Sequence, residues 1–283
     1  MATLGIPKNT IEILQKYNFS FQKKFGQNFL IDTHVLERII KEAEITKEDM
    51  VLEIGPGIGT MTQYLCESAK KVVAVEIDKN LIPILQDTLS EYDNISIINE
   101  DILKVDINKL VLEENEGKAI KVVANLPYYI TTPIIMGLFE KKVNVESITV
   151  MVQKEAATRL TAELGTRDVG AVTVAVRYYS EPKLLFNVSR GSFMPSPNVD
   201  SAVIRLDIKN EKKVDDEKHF FKVVRAAFSQ RRKTLSNSLS SGLSMDKKVI
   251  TEAIKSVGLP ESIRPEQLSM EDFINIAESV RKI

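Results

Sequence analysis

Four consecutive residues, Asn125-Leu126-Pro127-Tyr128, follow the apolar run 121–124 and have the chemistry to hold an amino group on a flat ring. Such an amine is a poor nucleophile, because its lone pair is delocalised into the ring. The Asn125 side-chain oxygen and the Leu126 backbone carbonyl can accept its two N–H groups and favour a tetrahedral nitrogen. Pro127 would fix the turn, and Tyr128 would offer a ring for stacking. The tetrapeptide therefore favours methylation of a ring amine.

A glycine-rich loop stands upstream, in the segment Glu53-Ile54-Gly55-Pro56-Gly57-Ile58-Gly59, before a helix predicted to begin at Thr60. Glycines after a strand let the backbone pass close to a ligand. A dinucleotide site has the spacing G-x-G-x-x-G. This loop has G-x-G-x-G with an acidic residue two positions ahead, which resembles the pocket for S-adenosylmethionine, a cofactor with a cationic sulfonium and no phosphate. We expect Gly55 and Gly57 to lie against this cofactor.

Two further predicted strands end in acidic residues. Glu76 is placed where its carboxylate can accept both ribose hydroxyls of the cofactor, and Asp101 could accept the exocyclic amine of its adenine. Ile77 and Ile102 follow these acids and belong to the same predicted pocket. Because the carboxyl ends of parallel strands meet at one edge of an open sheet, these residues and Asn125 should converge there.

The segment KKFGQNFL lies near the amino terminus, ahead of a helix predicted to be capped near Asp32. It has two readings. It can be an arm that packs Phe25 and Phe29 on the core, or an arm that lays Asn28 and Leu30 over the methionine end of the cofactor.

Between residues 51 and 206, short β-rich runs alternate with helical stretches. The runs are Met50–Ile54, Lys71–Glu76, Ile95–Asn99, Ala119–Ala124, Ser147–Gln153, Ala171–Tyr178 and Ala202–Ile208. Apolar strands that alternate with helices predict an α/β fold with a doubly wound, mostly parallel sheet covered on both faces. The last two runs should form a hairpin-like, antiparallel end of this sheet.

Composition changes after Asp207, where the polar segment 209–217 reads as a linker. Beyond it, apolar residues recur at helical spacing, as at Phe221, Val224 and Phe228, and predict helices to the end. We therefore divide the chain into a catalytic domain, residues 1–208, and a small all-α domain, residues 209–283.

Composition excludes several classes of protein. The chain has 283 residues, a formal net charge of -1 and a single cysteine, Cys66, so a disulfide and a multi-cysteine metal site are excluded and no metal is expected. The two histidines, His34 and His219, sit in no hydrolase motif, and the elements of a zinc deaminase are absent. With no long apolar run and no signal peptide, we expect a cytoplasmic protein without a membrane partner.

A basic segment gives the nearly neutral chain one candidate surface for nucleic acid. Between residues 218 and 235 there are six cations and no acid. They are Lys218, Lys222, Arg225, Arg231, Arg232 and Lys233, and Lys23 and Lys24 could extend the track beside the active site. On a helix with its apolar residues turned inward, several of these cations would share the outer face, where an RNA backbone can bind. The alternative is a solvated helix face without a ligand.

Taken together, the motifs FGQNFL, LEIGPGIGT, VEID, NEDI, NLPYYI and FMPSPNVDSAV resemble the ribosomal RNA adenine N6-dimethyltransferases over residues 20–208. The later segment FSQRRKTL is similar to the branch of that family that acts on the small ribosomal subunit. The resemblance implies a Rossmann-like, class I methyltransferase with a mostly parallel seven-stranded sheet and S-adenosylmethionine as cofactor. It implies two adjacent adenosines near the 3′ end of 16S rRNA as substrate, each dimethylated, in an assembling 30S particle. A monomer is expected.

The resemblance also implies roles for individual residues. The positions that match the family's cofactor-binding residues are Asn28, Leu30, Gly55, Glu76, Asp101 and Asn125. Those of its catalytic loop are Asn125, Leu126 and Tyr128. Phe193 matches a second aromatic residue, so we expect the flipped adenine to stack between Tyr128 and Phe193. Before the resemblance is considered, Phe193 is equally readable as a core aromatic on a proline-rich loop.

Three alternatives stay open at this point. The chain could be a resistance methyltransferase that acts on large-subunit RNA, or a non-catalytic assembly factor that only binds nucleic acid. A DNA adenine methyltransferase is a weaker alternative, because its usual loop has Pro-Pro-Tyr after the first residue and position 126 is Leu here.

Overall fold

The computed structural model describes residues 3–22, 26–209, 211–230 and 232–282. The chain forms two compact units: Met1–Ala157 with Lys183–Ile208, and Thr158–Pro182 with Lys209–Ile283. Each unit contains its own cluster of buried apolar side chains. The cavity described below is lined by residues of the first unit alone.

The first unit is built on a seven-stranded sheet with the order β4-β3-β2-β5-β6-β9-β7. Its strands are β2 (Met50–Ile54), β3 (Lys71–Glu76), β4 (Ile95–Asn99), β5 (Ile120–Asn125), β6 (Val145–Gln153), β7 (Ser180–Val188) and β9 (Ser201–Ile208). Strands β2 to β6 pair in parallel, whereas β9 runs antiparallel to β6. The prediction of a mostly parallel sheet with an antiparallel end is confirmed.

Helices precede and separate the parallel strands along the chain. They are α1 (Pro7–Lys16), α2 (Thr33–Glu42), α3 (Thr60–Ser68), α4 (Ile82–Thr88), α5 (Ile107–Asn115) and α6 (Thr131–Glu140), and α7 (Lys154–Thr161) follows β6. Central strand residues are buried, as Leu52 and Val122 illustrate, because helices cover both faces of such a sheet. The predicted cap at Asp32 is confirmed: its carboxylate accepts the backbone N–H groups of His34 and Val35.

A second, two-stranded sheet joins distant parts of the first unit. Strand β1 (Phe29–Leu30) pairs antiparallel with β8 (Phe193–Met194), so that Leu30 faces Phe193. The backbone N–H of Ile31 extends this pairing by donating to the Ser192 carbonyl at 2.8 Å. This small sheet holds the amino-terminal segment beside the glycine-rich loop.

One predicted strand is wrong. The run 171–178 forms helix α8 (Ala171–Tyr179), and the seventh strand of the sheet is β7, which begins at Ser180. The N-terminus of this helix is capped by a hydrogen bond from the Gly170 N–H to the Thr173 hydroxyl, at 3.0 Å. Contacts within the folded unit outweigh the strand preference of the valines and tyrosines in this run.

Strand β7 was missed because it contains Pro182, which lowers the apparent strand propensity. The strand lies at the end of the sheet order, and an edge strand tolerates a proline because the missing N–H need not join a ladder.

The second unit is helical. In addition to α8 it contains α9 (Glu217–Ala227), α10 (Leu235–Leu243), α11 (Lys247–Ser256) and α12 (Met270–Arg281). None of the described helices combines the length and the apolar character needed to cross a membrane.

The division into two units departs from the predicted boundary in one respect. The prediction assigned all residues before 209 to the first domain, whereas residues 158–182 belong to the second unit. The reason is aromatic packing: the Tyr178 ring lies 5.2 Å from that of Phe220 and 5.1 Å from that of Phe221. The residues in contact are about forty positions apart in the chain, so composition alone does not reveal that they meet.

Candidate active site

A cavity of about 1080 Å³, counting its open mouth, lies where β2, β3, β4 and β5 end. The structure brings together in its wall all the residues predicted to bind a cofactor. They are Asn28, Leu30, Gly55, Gly57, Glu76, Ile77, Asp101, Ile102 and Asn125. The predicted catalytic residues Leu126, Pro127 and Tyr128 line the same cavity. This is the sheet edge at which open α/β folds bind ligands.

The glycine-rich loop leaves space that a side chain would fill. Gly55 has a φ of +72°, and a Cβ added there would have no atom within 4 Å, so the open space lies directly above its backbone. Gly57 has a φ of +62°, and an added Cβ would lie 2.9 Å from the Phe29 ring. The loop is therefore shaped for close approach of a ligand on one side and of Phe29 on the other.

Glu53 is the most unusual group in the cavity wall. It is fully buried in β2, and neither carboxylate oxygen has a hydrogen-bond partner among the described residues. Burial raises the pKa of Glu53 to about 8; the Thr62 hydroxyl, near but outside hydrogen-bond geometry, opposes this rise, and the Glu76 charge adds to it. A buried, unpartnered acid beside a cavity indicates a cationic ligand, because such a ligand would supply the missing partner.

Glu76 lies at the end of β3 and is tied to the backbone around it. One oxygen accepts the Gly57 N–H at 3.2 Å, and the other accepts the Asp78 N–H at 2.8 Å. Burial raises the pKa of Glu76 to about 7, and these N–H groups oppose the rise. Each oxygen keeps a further lone pair, which hydroxyl groups of a ligand can use.

The far end of the cavity is formed by the residues after β3 and β4. Ile77 is 47% exposed, whereas Ile102 is buried, so the two side chains offer apolar surface at different depths of the wall. Asp101 is half-buried, and its Oδ1 accepts the Leu103 N–H at 3.0 Å. Among the described residues its second carboxylate oxygen accepts no hydrogen bond, so this oxygen can receive an amine.

The amino-terminal segment forms one side of the cavity through three consecutive positions. Asn28, Phe29 and Leu30 all line the cavity, and the side chains of Phe29 and Leu30 are at the same time buried in apolar clusters, with Phe29 against Gly57. Gln27 donates from its side chain to the Asp78 carboxylate at 2.8 Å, which fastens the segment to the loop after β3. The packing of Phe29 on the core is confirmed, whereas the covering of a cofactor by Asn28 and Leu30 stays a prediction. Phe25, also predicted to pack on the core, lies outside the described residues.

Asn125 ends β5 at the mouth of the cavity with its side chain held in one orientation. Its Nδ2 donates to the Asn28 carbonyl at 3.1 Å, so the Oδ1 atom remains available to a ligand. The Leu126 N–H donates to the Met151 carbonyl at 3.2 Å, which fixes the next peptide on the neighbouring strand. The Asn125 oxygen is thus left free for the amino group of a ligand, and Leu126, the next residue, lines the same cavity.

The aromatic residues of the loop differ in their surroundings. Tyr128 is half-buried, and its hydroxyl lies 2.9 Å from that of Ser201. Tyr129 is 61% exposed, at the opening of the cavity. The hydroxyl end of Tyr128 is therefore held by a hydrogen bond, whereas most of the Tyr129 side chain is exposed to solvent.

Phe193 does not occupy the position predicted for it. Its side chain is 4% exposed and packs in the apolar cluster that includes Leu30, Met151 and Val203. It is absent from the cavity wall. Because β8 pairs with β1, the ring is directed into the core, so the expected stacking of a base between Tyr128 and Phe193 is not available in this structure.

The predicted RNA-binding residues lie mostly in the second unit. Lys222 and Arg225 are exposed on α9, at a spacing that puts them on one face together with Lys218. Because α9 ends at Ala227, the exposed residues Arg232 and Lys233 lie on the connection to α10 and not on the same helix. The remaining predicted residues, Lys23, Lys24 and Arg231, lie outside the described residues.

Sequence reasoning gave no role of their own to Glu53, Tyr129 and Ser201, although Glu53 is the acid ahead of the glycine-rich loop and the other two lie in the motifs NLPYYI and FMPSPNVDSAV. An acid in the otherwise apolar strand 50–54 was a usable signal for Glu53. Nothing in the chain near Ser201 indicated that it would meet Tyr128, more than seventy residues away. Among the described residues no cluster of His, Cys, Asp and Glu could hold a metal ion, and Cys66 is buried.

Comparison with known proteins gives a consistent result. A family model described as ribosomal RNA adenine dimethylase matches residues 18–282. A protein of Lachnoclostridium phytofermentans named ribosomal RNA small subunit methyltransferase A is 63% identical over 285 residues, covering 99% of this chain and 98% of its own length. A protein of the same name from Clostridioides difficile is 51% identical over 275 residues, covering 96% and 95% respectively.

Solved structures are similar over most of the chain. A dimethyladenosine transferase from Plasmodium falciparum has a TM-score of 0.76 and 26% identity, covering 90% of this chain and 98% of its own. The 23S rRNA methyltransferase ErmE has a TM-score of 0.68 and 27% identity, covering 90% and 100%.

The buried acid Glu53 predicts a pH-dependent cost to folding. Its carboxyl ionises at about 4.5 in the unfolded chain but at about 8 in the folded protein. Stability should therefore be highest below pH 4.5 with respect to this group, fall as pH rises to about 8, and stay level above. Glu53→Gln removes the group, so its free energy of unfolding relative to wild type should rise between pH 5 and pH 8, by up to about 1.4 kcal/mol per pH unit. Its Tm relative to wild type should rise over the same range.

Thermal unfolding at several pH values measures this difference. Glu113→Gln is the matched control, because Glu113 is 61% exposed on α5 and forms only a surface ion pair with Lys109, so its removal should change stability little. A constant difference between wild type and Glu53→Gln across the range would contradict the raised pKa.

Proposed function

Because this chain belongs to the ribosomal RNA adenine dimethylase family, we propose that it dimethylates N6 of two adjacent adenosines near the 3′ end of 16S rRNA. It is an S-adenosylmethionine-dependent enzyme. The observation that carries the proposal is the orientation of Asn125, whose amide nitrogen is held by Asn28 so that its oxygen faces the cavity. A protein that only binds RNA has no need of that arrangement.

The small ribosomal subunit is the favoured substrate over the large. Relatives named for the small subunit are 48% to 63% identical over almost the whole chain, whereas the large-subunit enzyme ErmE is 27% identical. We propose that the enzyme acts as a monomer on a 30S particle or its precursor. The first unit would contribute the catalytic machinery, and residues 209–283 of the second unit a surface for RNA.

The cavity suits S-adenosylmethionine in shape and charge. When bound, this cofactor supplies an electrophilic methyl group on a positively charged sulfur. The open space above Gly55 admits a ligand against the backbone, and the unpartnered carboxyl of Glu53 suits its cationic methionine end. Glu76 would accept the ribose hydroxyls, Asp101 would accept the adenine amine, and Ile77 and Ile102 would flank the adenine. Asn28 and Leu30 would cover the methionine end.

The reaction requires that the amine nitrogen be made nucleophilic and be directed at the methyl group. The Asn125 Oδ1 and the Leu126 carbonyl would accept the two hydrogens of N6 and direct its lone pair along one line, which is mainly a positioning effect. No general base is needed, since N6 becomes acidic when methylated and its proton can leave afterwards. Only one N–H remains after the first transfer, so the loop must tolerate a methyl group in place of one hydrogen bond.

The target adenine must leave its stack to reach this position. Flipping a base costs a few kcal/mol, and stacking on an aromatic ring returns about 1–3 kcal/mol. With Phe193 buried in the core, the ring that can serve in this structure is Tyr128. The second unit would bind the RNA backbone through Lys222, Arg225 and their neighbours.

The function is tested by transfer of labelled methyl groups from S-adenosylmethionine to under-methylated small subunits, large subunits and naked 16S rRNA. Mass analysis of the nucleosides should find dimethyladenosine in small-subunit particles. Label in large-subunit RNA would instead indicate the resistance activity. A protein that binds the cofactor but transfers no methyl group would be a binding factor, and the proposal would be abandoned.

Asn125→Ala should reduce methyl transfer by roughly 100-fold or more, the usual cost of removing one group that stabilises a transition state. Much of the cofactor affinity should remain, since Asn125 is one of several groups in that pocket. Single-turnover rates and cofactor titration measure the two effects. Asn144→Ala is the control, because Asn144 is exposed before β6 and donates only to the Gly117 carbonyl. Near-normal transfer by Asn125→Ala would disprove this mechanism.

Removal of the cations on α9 should weaken RNA binding in a salt-dependent way. Lys222 and Arg225 form no ion pair with any described residue, so both are available to phosphates. The double variant Lys222→Ala/Arg225→Ala should lower affinity and reduce the slope of log affinity against log salt by about 1 to 2.

Lys247→Ala/Lys248→Ala removes the same charge from α11 of the same unit and serves as the control. Filter binding at several salt concentrations compares the two pairs. Equal losses of RNA affinity in the two double variants would mean that only net charge determines binding, and the proposed RNA-binding face on α9 would be rejected.

A further inference from the structure

We propose that Ser201 is a positioning residue, which anchors the hydroxyl of Tyr128 and so sets the plane of the ring on which the target adenine stacks. The inference rests on the proposed function and adds a residue to its site. Ser201 does not itself line the cavity, and it acts only through Tyr128, which does.

The contact is a side-chain hydrogen bond in a protected place. The two hydroxyl oxygens are 2.9 Å apart, and either can be the donor. Ser201 is fully buried, whereas Tyr128 is half-buried with its ring in the cavity wall. Because one end of the bond is shielded from water, solvent competes with it less than on an open surface.

The topology explains how Ser201 reaches this position. Strand β5 ends at Asn125 beside Met151 of β6, and Tyr128 follows three residues later. Strand β9 runs antiparallel to β6, and its first residue, Ser201, is opposite Gln153 at the end of β6. The start of β9 therefore lies at the same sheet edge as the ends of β5 and β6.

Fixing the hydroxyl matters because a tyrosine ring is otherwise free to rotate about the bonds that join it to the backbone. The ring can turn about two bonds, Cα–Cβ and Cβ–Cγ, and only the first is strongly limited by the backbone. A bond at the far end of the ring restricts the swing about Cα–Cβ. Phe193 lies in the core and supplies no second wall, so the hydroxyl contact is the restraint on Tyr128 that the geometry identifies.

The test is a double-mutant cycle in the methyl-transfer assay with under-methylated small subunits. Tyr128→Phe and Ser201→Ala each remove the same bond, one from either side. Each should lower kcat about two- to tenfold, the net worth of one hydrogen bond. The affinity for S-adenosylmethionine should not change. The double variant should be no slower than the slower single variant, because the bond can be lost only once.

Thr149→Val is the matched control for loss of a buried hydroxyl. Thr149 lies in β6 of the same sheet, and its hydroxyl has no hydrogen-bond partner among the described residues. This variant should keep the wild-type kcat. Tm values for all variants separate a change in rate from a change in folding.

The outcomes are distinct. Losses that add in the double variant, or wild-type kcat in both single variants, would overturn the positioning role while leaving the proposed function intact. Should Ser201→Ala fail to fold, Tyr128→Phe still decides, because it keeps Ser201 and a wild-type kcat would overturn the inference. Absence of methyl transfer by the wild-type protein would overturn the proposed function and this inference with it.

Discussion

The contact between Phe29 and Gly57 is the constraint on which the site depends. The Phe29 ring lies where a Cβ on residue 57 would be, at 2.9 Å, so only glycine admits it. This contact fixes Asn28, the preceding residue, whose carbonyl holds the Asn125 amide. The glycine-rich loop thus has two functions: it leaves room for a cofactor, and it seats the segment that orients the catalytic loop. The cofactor pocket and the methyl-acceptor site are thus joined by the Phe29 ring, the backbone of Gly57 and Asn28, and one hydrogen bond from the Asn125 amide.

The site is maintained at a cost to stability. Glu53 is buried without a partner, and it lies close enough to Glu76 for each charge to disfavour the other. Burial of polar groups without hydrogen bonds is unfavourable, and a chain selected only for stability would place an apolar residue at position 53. Strand β2 is otherwise apolar, and the acid stands one residue before its end. This local conflict with the core is the expected mark of a position kept for a ligand.

The sequence predicted the parts of the fold and site whose causes are local. Capping by Asp32, the helix after Gly59 and the strand ends at Glu76 and Asn125 all follow from residues within a few positions of each other. The errors concern residues whose environment is set by distant parts of the chain. The run 171–178 has strand-forming residues but is helical because Tyr178 packs on Phe220 and Phe221.

The same explanation holds for Phe193. Its motif predicted a base-stacking residue, but pairing of β8 with β1 turns the ring into the core. Neither pairing partner nor direction can be read from the residues near position 193. The antiparallel strand β9 is a further case, because it brings the start of a strand to an edge otherwise formed by strand ends. Ser201 belongs to the motif FMPSPNVDSAV, but nothing near it in the chain indicates that it meets Tyr128. In folds of this kind, residues that hold the catalytic loop from the antiparallel side are the part of the site that needs a structure to be found.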